Sequence, residues 1–127
     1  MKLTLGQMYT MQNALESLIR MKVEAKTAWQ FGRLAKDIRE NLQGLEVHRR
    51  ALFEKFGTKI DDRIEVEDDK KDEFQKEWTE LVMQEVEIDW DPVSIDELGS
   101  QTVSIADMAE LSPFFTDAIV SDVEAEV

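Results

Sequence analysis

Any chemistry in this chain has to start from one histidine, no cysteine and an excess of carboxylates. His48 falls between Leu45 and Leu52 at helical spacing. A zinc site there would need a second imidazole, a thiolate or an arranged carboxylate, as in H-E-x-x-H, and the sequence offers none. The plainer reading puts His48 at the edge of a helix seam, with a pH switch as the lesser one. Asp61, Asp62, Glu65 and Glu67 are close enough in sequence to gather a divalent cation, but they lack the glycine and terminal Glu of an EF-hand loop. Asp68-Asp69 and Asp96-Glu97 are adjacent acids of the kind that turns leave solvated. A general acid or base needs burial or a charged neighbour to bring its pKa into range, and an acidic turn supplies neither. The five glycines are scattered singly, so no loop cradles phosphate. These residues predict no catalytic, metal-binding or cofactor-binding site and no small-molecule substrate.

Nucleic acid is the next class to weigh. Arg33, Lys36, Arg39, Arg49 and Arg50 are interleaved with Asp37, Glu40, Glu46 and Glu54 at helical steps, the pattern of an ion-paired helix surface. Trp29, Trp78 and Trp90 read as core anchors before base-stacking platforms. The net charge of −13 is divided unequally along the chain. All 15 Lys and Arg lie at or before Lys76, where they meet 14 acids, whereas Glu77 to Val127 holds 14 acids and no base. The acidic end disfavours nucleic acid and anionic membrane and favours a basic partner.

The elements that must position these residues follow from periodicity. Leu5, Met8, Met11, Leu15, Leu18 and Ile19 recur at three- and four-residue steps, predicting a helix from Leu5 to about Arg20. A second stripe begins with Trp29 and Phe31, continues through Leu34, Ile38, Leu42, Leu45, Leu52 and Phe56, and predicts a helix over Ala25 to Phe56, about 48 Å long. Gly57 would end it as a left-handed cap. The short break between the stripes favours an antiparallel hairpin, with Met8, Leu15, Leu18, Phe31, Leu34, Ile38, Leu42 and Leu45 in its seam. Arg63 to Glu67 and Val86 to Trp90 alternate like short strands that would pair with each other, in parallel if the helix between them is a crossover. That helix, Lys70 to Gln84, would be capped by Asp68-Asp69 and would turn Phe74, Trp78, Leu81 and Val82 inward. Val93-Ser94-Ile95 is echoed at Val103-Ser104-Ile105, and Ser104 with Asp107 reads as a capping pair for a helix to Leu111. Pro113 opens a further turn with Phe114, Phe115, Ile119 and Val120 as anchors, before an acidic tail from Ser121. The fold class is mainly α: one domain, with a helical hairpin over 1–57, an acidic α+β part over 58–120 and a loose tail over 121–127. Its 127 residues suffice for one core. No apolar run approaches a membrane span, no apolar leader opens the chain, and the lack of cysteine suits a reducing compartment.

The opening Met1-Lys2-Leu3-Thr4-Leu5-Gly6-Gln7, the Ala28-Trp29-Gln30-Phe31-Gly32-Arg33-Leu34 stretch, Val86-Glu87-Ile88-Asp89 and the run from Ser104 to Phe114 together resemble small bacteriophage proteins of unknown function. The resemblance covers most of the chain and lies in the order and texture of elements. It implies a phage-encoded accessory or virion-associated protein, in the host cytoplasm or the virion, and carries no functional residues with it. The expected role is protein–protein interaction or assembly without catalysis. The alternative is an acidic inhibitor that mimics nucleic acid. A long second helix covered by one shorter helix leaves Leu52, Phe53 and Phe56 needing cover, either from the segment around Trp90, Phe114 and Phe115 or from another chain. In the second case Arg49 and Arg50 would receive a neighbour's acidic half, making Arg49, Arg50, Leu52, Phe53 and Phe56 the candidate partner-binding residues.

Overall fold

The computed structural model describes residues 1–116. Thr4 starts the first helix with a reciprocal cap: its Oγ1 accepts from the Gln7 amide at 3.0 Å, while Gln7 Oε1 accepts from the Thr4 amide at 2.8 Å. The helix expected over Leu5 to Arg20 is two pieces, α1 (Leu5–Thr10) and α2 (Gln12–Ile19), with Met11 between them. The hydroxyl of Thr10 donates to the Gly6 carbonyl at 2.9 Å. A side chain bonded back to the i−4 carbonyl favours a bend of this kind.

The long helix α3 (Ala25–Phe56) has the bounds its periodicity predicts. Arg39 Nη2 reaches Glu16 Oε1 at 2.9 Å, tying the middle of α3 to α2 in the antiparallel sense. The predicted seam is the core: Met8, Leu15, Leu18, Phe31, Leu34, Ile38 and Leu45 are buried, and Leu42 packs against them half-buried.

Gly57 is not the left-handed cap. Its φ of −95° and ψ of 159° are extended, because the chain passes straight from α3 into β2 (Gly57–Ile60). Glycine is required there for space: a Cβ would collide with Ile64 Cγ2 and with the Phe53 carbonyl. Backbone cannot yield as a flexible side chain does, so Gly57→Ala is expected to cost about 1–3 kcal/mol, read as a lower thermal midpoint. A midpoint equal to wild type would show that the helix-to-strand junction relaxes freely.

The strand pairing also departs from expectation. β3 (Arg63–Val66) pairs antiparallel with β2 through a two-residue turn, Ile60 opposite Arg63 and Gly57 opposite Val66. Asp61 sits in that turn at a φ of 53°, a left-handed position that Asp tolerates. β4 (Glu85–Glu87) pairs with β1 (Lys2–Thr4), antiparallel, Leu3 opposite Val86. The α-amino group of Met1 extends the ladder, donating to the Ile88 carbonyl at 2.8 Å and lying 3.2 Å from Glu87 Oε1. A two-residue hairpin closes β3 at less entropic cost than a crossover to β4 would, and β4 is left for the chain start. Between them α4 (Lys71–Val82) follows a short 3₁₀ turn at Asp68–Lys70, and neither Asp68 nor Asp69 supplies a side-chain cap.

Two groups of residues cover the two ends of α3. At its C-terminal end Phe74 of α4 packs on Phe53 at 4.9 Å and on Phe56 at 6.3 Å between ring centres, and Lys55 bonds Glu77 at 2.9 Å. Trp90, Phe114 and Phe115 therefore do not fold over Leu52, Phe53 and Phe56. They sit at the other end, where Trp90 stacks on Phe31 at 5.2 Å and Phe115 approaches Phe31 at 6.1 Å. The Trp90 indole donates to the Phe114 carbonyl at 3.1 Å. Short helix α5 (Ile105–Leu111) packs on α2, its start capped by Ser104 Oγ accepting from the Asp107 amide at 3.1 Å. The anchors expected at Ile119 and Val120, and the tail from Ser121, lie outside the described residues.

Candidate interaction surface

The residues singled out for chemistry are dispersed. His48 is exposed rather than tucked into the seam edge, since Leu45 and Leu52 occupy the inner arc at that level. Asp61 and Asp62 form the hairpin turn, Glu65 bonds Arg63 at 2.9 Å, and Glu67 accepts from the Thr58 hydroxyl at 2.8 Å. Among the described residues no three His, Asp or Glu converge as metal ligands. Asp68 pairs with Lys71 at 2.7 Å. The hydrogen bond and the charge of Lys71 lower the Asp68 pKa, and the same contacts raise that of Lys71. The Asp68 contribution is thus present at neutral pH and lost as pH falls through its folded-state value. The Lys71 contribution is lost as pH rises through its own. Both groups lie in solvent, where such a pair does little beyond local order. Glu97 accepts from the buried Thr27 hydroxyl at 2.8 Å, joining the 3₁₀ turn Ile95–Leu98 to the start of α3.

The basic residues follow their spacing in part: Lys36 pairs with Glu40 at 4.0 Å and Arg49 with Glu46 at 3.0 Å along the helix, whereas Arg33 reaches Asp89 at 4.0 Å and Arg39 reaches Glu16, acids far away in sequence. Of the predicted partner-binding set, the structure brings Arg49, Phe53 and Phe56 into one intramolecular contact. Arg49 lies 5.2 Å above the Phe53 ring, Lys55 lies 4.9 Å above Phe56, and Phe74 closes the group. Phe56 is only 6% exposed, Leu52 and Phe53 are half-buried, and Arg50 is exposed.

The open surface is on the opposite side of α3. Trp29, expected as a core anchor at the start of the second stripe, is 70% exposed, and Val47 is 63% exposed. They are five helical turns apart and so lie on one line along the helix, about 27 Å from end to end, facing away from Ile38. Between them Arg33, Lys36, Glu40 and Gln43 follow at alternating steps of four and three residues. Trp29, Gly32, Arg33 and Lys36 border an open groove of about 520 Å³, and Arg33 also borders a second of about 310 Å³ beneath the Asp89–Val93 segment. A Cβ on Gly32 or Gly44 would meet nothing within 4 Å. Each interior glycine costs the helix roughly 1 kcal/mol relative to Ala, and no contact among the described residues requires either one. Trp29 is therefore not the start of the buried stripe: nine residues separate it from Ile38, which puts the two on opposite sides of the helix, and that phase, with two glycines inside a long helix, was the signal for this face in the sequence.

No described helix is long and apolar enough to cross a membrane. Comparison with family models, with curated proteins and with solved structures finds no match to this chain.

Proposed function

We propose that this protein acts by protein–protein contact, in assembly and without catalysis of its own, and that the outward face of α3 is the contact. The exposure of Trp29 carries the reading. A tryptophan held on a rigid 32-residue helix, fronting an open groove and flanked by Arg33, has the residue types that dominate binding energy at interfaces. The resemblance to small phage proteins fits an accessory or virion-associated role, in the host cytoplasm or the virion. Nucleic-acid mimicry draws less support. Three acids beyond Lys76 are engaged within the chain, Glu77 with Lys55, Glu87 with the Met1 amine and Glu97 with Thr27, and so are not free to imitate phosphates.

Affinity capture with the intact chain and with Trp29→Glu tests the proposal, a differently tagged second copy of the chain counting as a partner. The expected result is a partner held by wild type and bound at least about thirtyfold more weakly by the variant, in line with interface tryptophans. The thermal midpoint should stay unchanged, because Trp29 lies outside the core. Partners recovered equally by both proteins, or by neither, would refute the contact face.

A further inference from the structure

We infer that the occupant of this face is a second copy of the chain, lying antiparallel against the first across a two-fold axis at the level of Ile38. The inference rests on the contact reading above and specifies the partner. Ile38 is midway between Trp29 and Val47, and midway between Lys36 and Glu40. A two-fold axis there sets Trp29 against Val47 of the partner subunit and Lys36 against Glu40 of the partner subunit. Every contact occurs twice, as an isologous interface requires.

The face is self-complementary only in this sense. In a parallel pairing Lys36 would meet Lys36, Glu40 would meet Glu40, and the two indoles would collide. Antiparallel, opposite charges meet at the centre and an apolar pair closes each end. Lys36 and Glu40 of one chain are only 4.0 Å apart at the limit of an ion pair, with side chains 79% and 62% exposed, so both have capacity for a partner. Gly32 and Gly44 are equally far from the midpoint on opposite flanks. Gly32 falls at the level of the partner's Gly44 and one residue step from the partner's Gln43, on the same flank, and Gly44 likewise lies one step from the partner's Arg33. The open space over each glycine is where the long side chain of the other copy enters, which accounts for two helix-weakening residues that no contact among the described residues explains. The contact is one helix wide over about 27 Å, at the low end of specific interfaces. Such a dimer belongs in the micromolar range.

Sedimentation equilibrium of the full chain across a concentration series provides the test. The expected behaviour is a reversible monomer–dimer equilibrium. Lys36→Glu alone and Glu40→Lys alone should each weaken it about tenfold, since each creates two like-charge contacts in place of two attractive ones. The double variant K36E/E40K restores opposite charges across the axis and should return to within about twofold of wild type. Because the chain has no cysteine, a mixture of Trp29→Cys and Val47→Cys chains should form a mixed disulfide, ahead of either variant with itself. All four positions are exposed, and thermal midpoints near wild type will show that the variants fold. A monomer up to about millimolar concentration, a double variant no better than the single ones, or no preference for the mixed disulfide would overturn the inference. If the chain is monomeric but binds a different protein in a Trp29-dependent way, self-pairing falls and the contact reading stands. If neither occurs, both fall.

Discussion

Ile38→Ala is expected to destabilise the protein by about 2–5 kcal/mol, a large share of the total for a chain of this size. Ile38 is 0% exposed at the middle of α3, in the core cluster that holds Met8, Met11 and Leu15 from the hairpin's other arm. Truncation removes buried methyl groups from a layer fixed on both sides by helix backbone, so the cavity can collapse only in part. The companion variant Ile38→Val, which removes one methylene, should cost only about 0.5–1.5 kcal/mol. Urea titration reads both as a lowered midpoint with an unchanged slope. An Ile38→Ala midpoint indistinguishable from wild type would mean that the two arms of the hairpin do not pack as described.

Phe114→Ala should cost about 3–5 kcal/mol, as much as the change in the seam, although Phe114 lies near the end of the described chain. Its ring is 0% exposed and meets Trp90 edge-on at 6.3 Å, and its carbonyl accepts from both the Trp90 indole and the Val93 amide. Truncation keeps the backbone acceptor but removes one wall of the Trp90 site, so water gains access to an indole that is otherwise stacked on Phe31. The expected readout is a lower unfolding midpoint together with a red-shifted emission from Trp90, isolated by a background in which Trp29 and Trp78 are replaced by Phe. Full retention of both midpoint and emission would show that residues 112–116 are not part of the cooperative unit.

These two positions differ in how much the sequence shows of them. Ile38 is legible because a 3.6-residue period is a local property: Phe31, Leu34, Ile38, Leu42 and Leu45 mark one face of a helix whatever that face packs against. The same periodicity marks the seam with Met8, Leu15 and Leu18, while Gly57 marks the end of α3 and the Ser104–Asp107 capping pair the start of α5. The Thr4–Gln7 cap was legible too, as a T-x-x-Q pattern, and was missed. Phe114 can be read as apolar, but not as the residue that seats Trp90.

The partners across the fold were decided by tertiary structure. Two alternating stretches with a helix between them suggest a pair, yet β3 closes on β2 and β4 closes on β1. Alternation identifies a strand without naming its neighbour; the two-residue hairpin closes β3 on β2 at low entropic cost, whereas β4 meets β1 from far along the chain, a pairing that no local feature sets. Cover for Phe53 and Phe56 comes from Phe74 rather than from Phe114 and Phe115, because α4 follows the hairpin β2–β3 straight back along the end of α3. Gly57 is needed in either case, but the extended chain leaving α3 made it a question of space and not of φ. The exposure of Trp29, by contrast, was legible in the helical period, since it lies nine residues from Ile38 and so on the opposite side of α3. Composition marks a tryptophan as something to bury, but Phe31 and not Trp29 is in phase with the core side of the helix. By itself the sequence determined which residues share a helix face and how charge is divided along the chain, because neighbours in sequence set both. Which faces meet depended on contacts between residues far apart in the chain, and no local period encodes those.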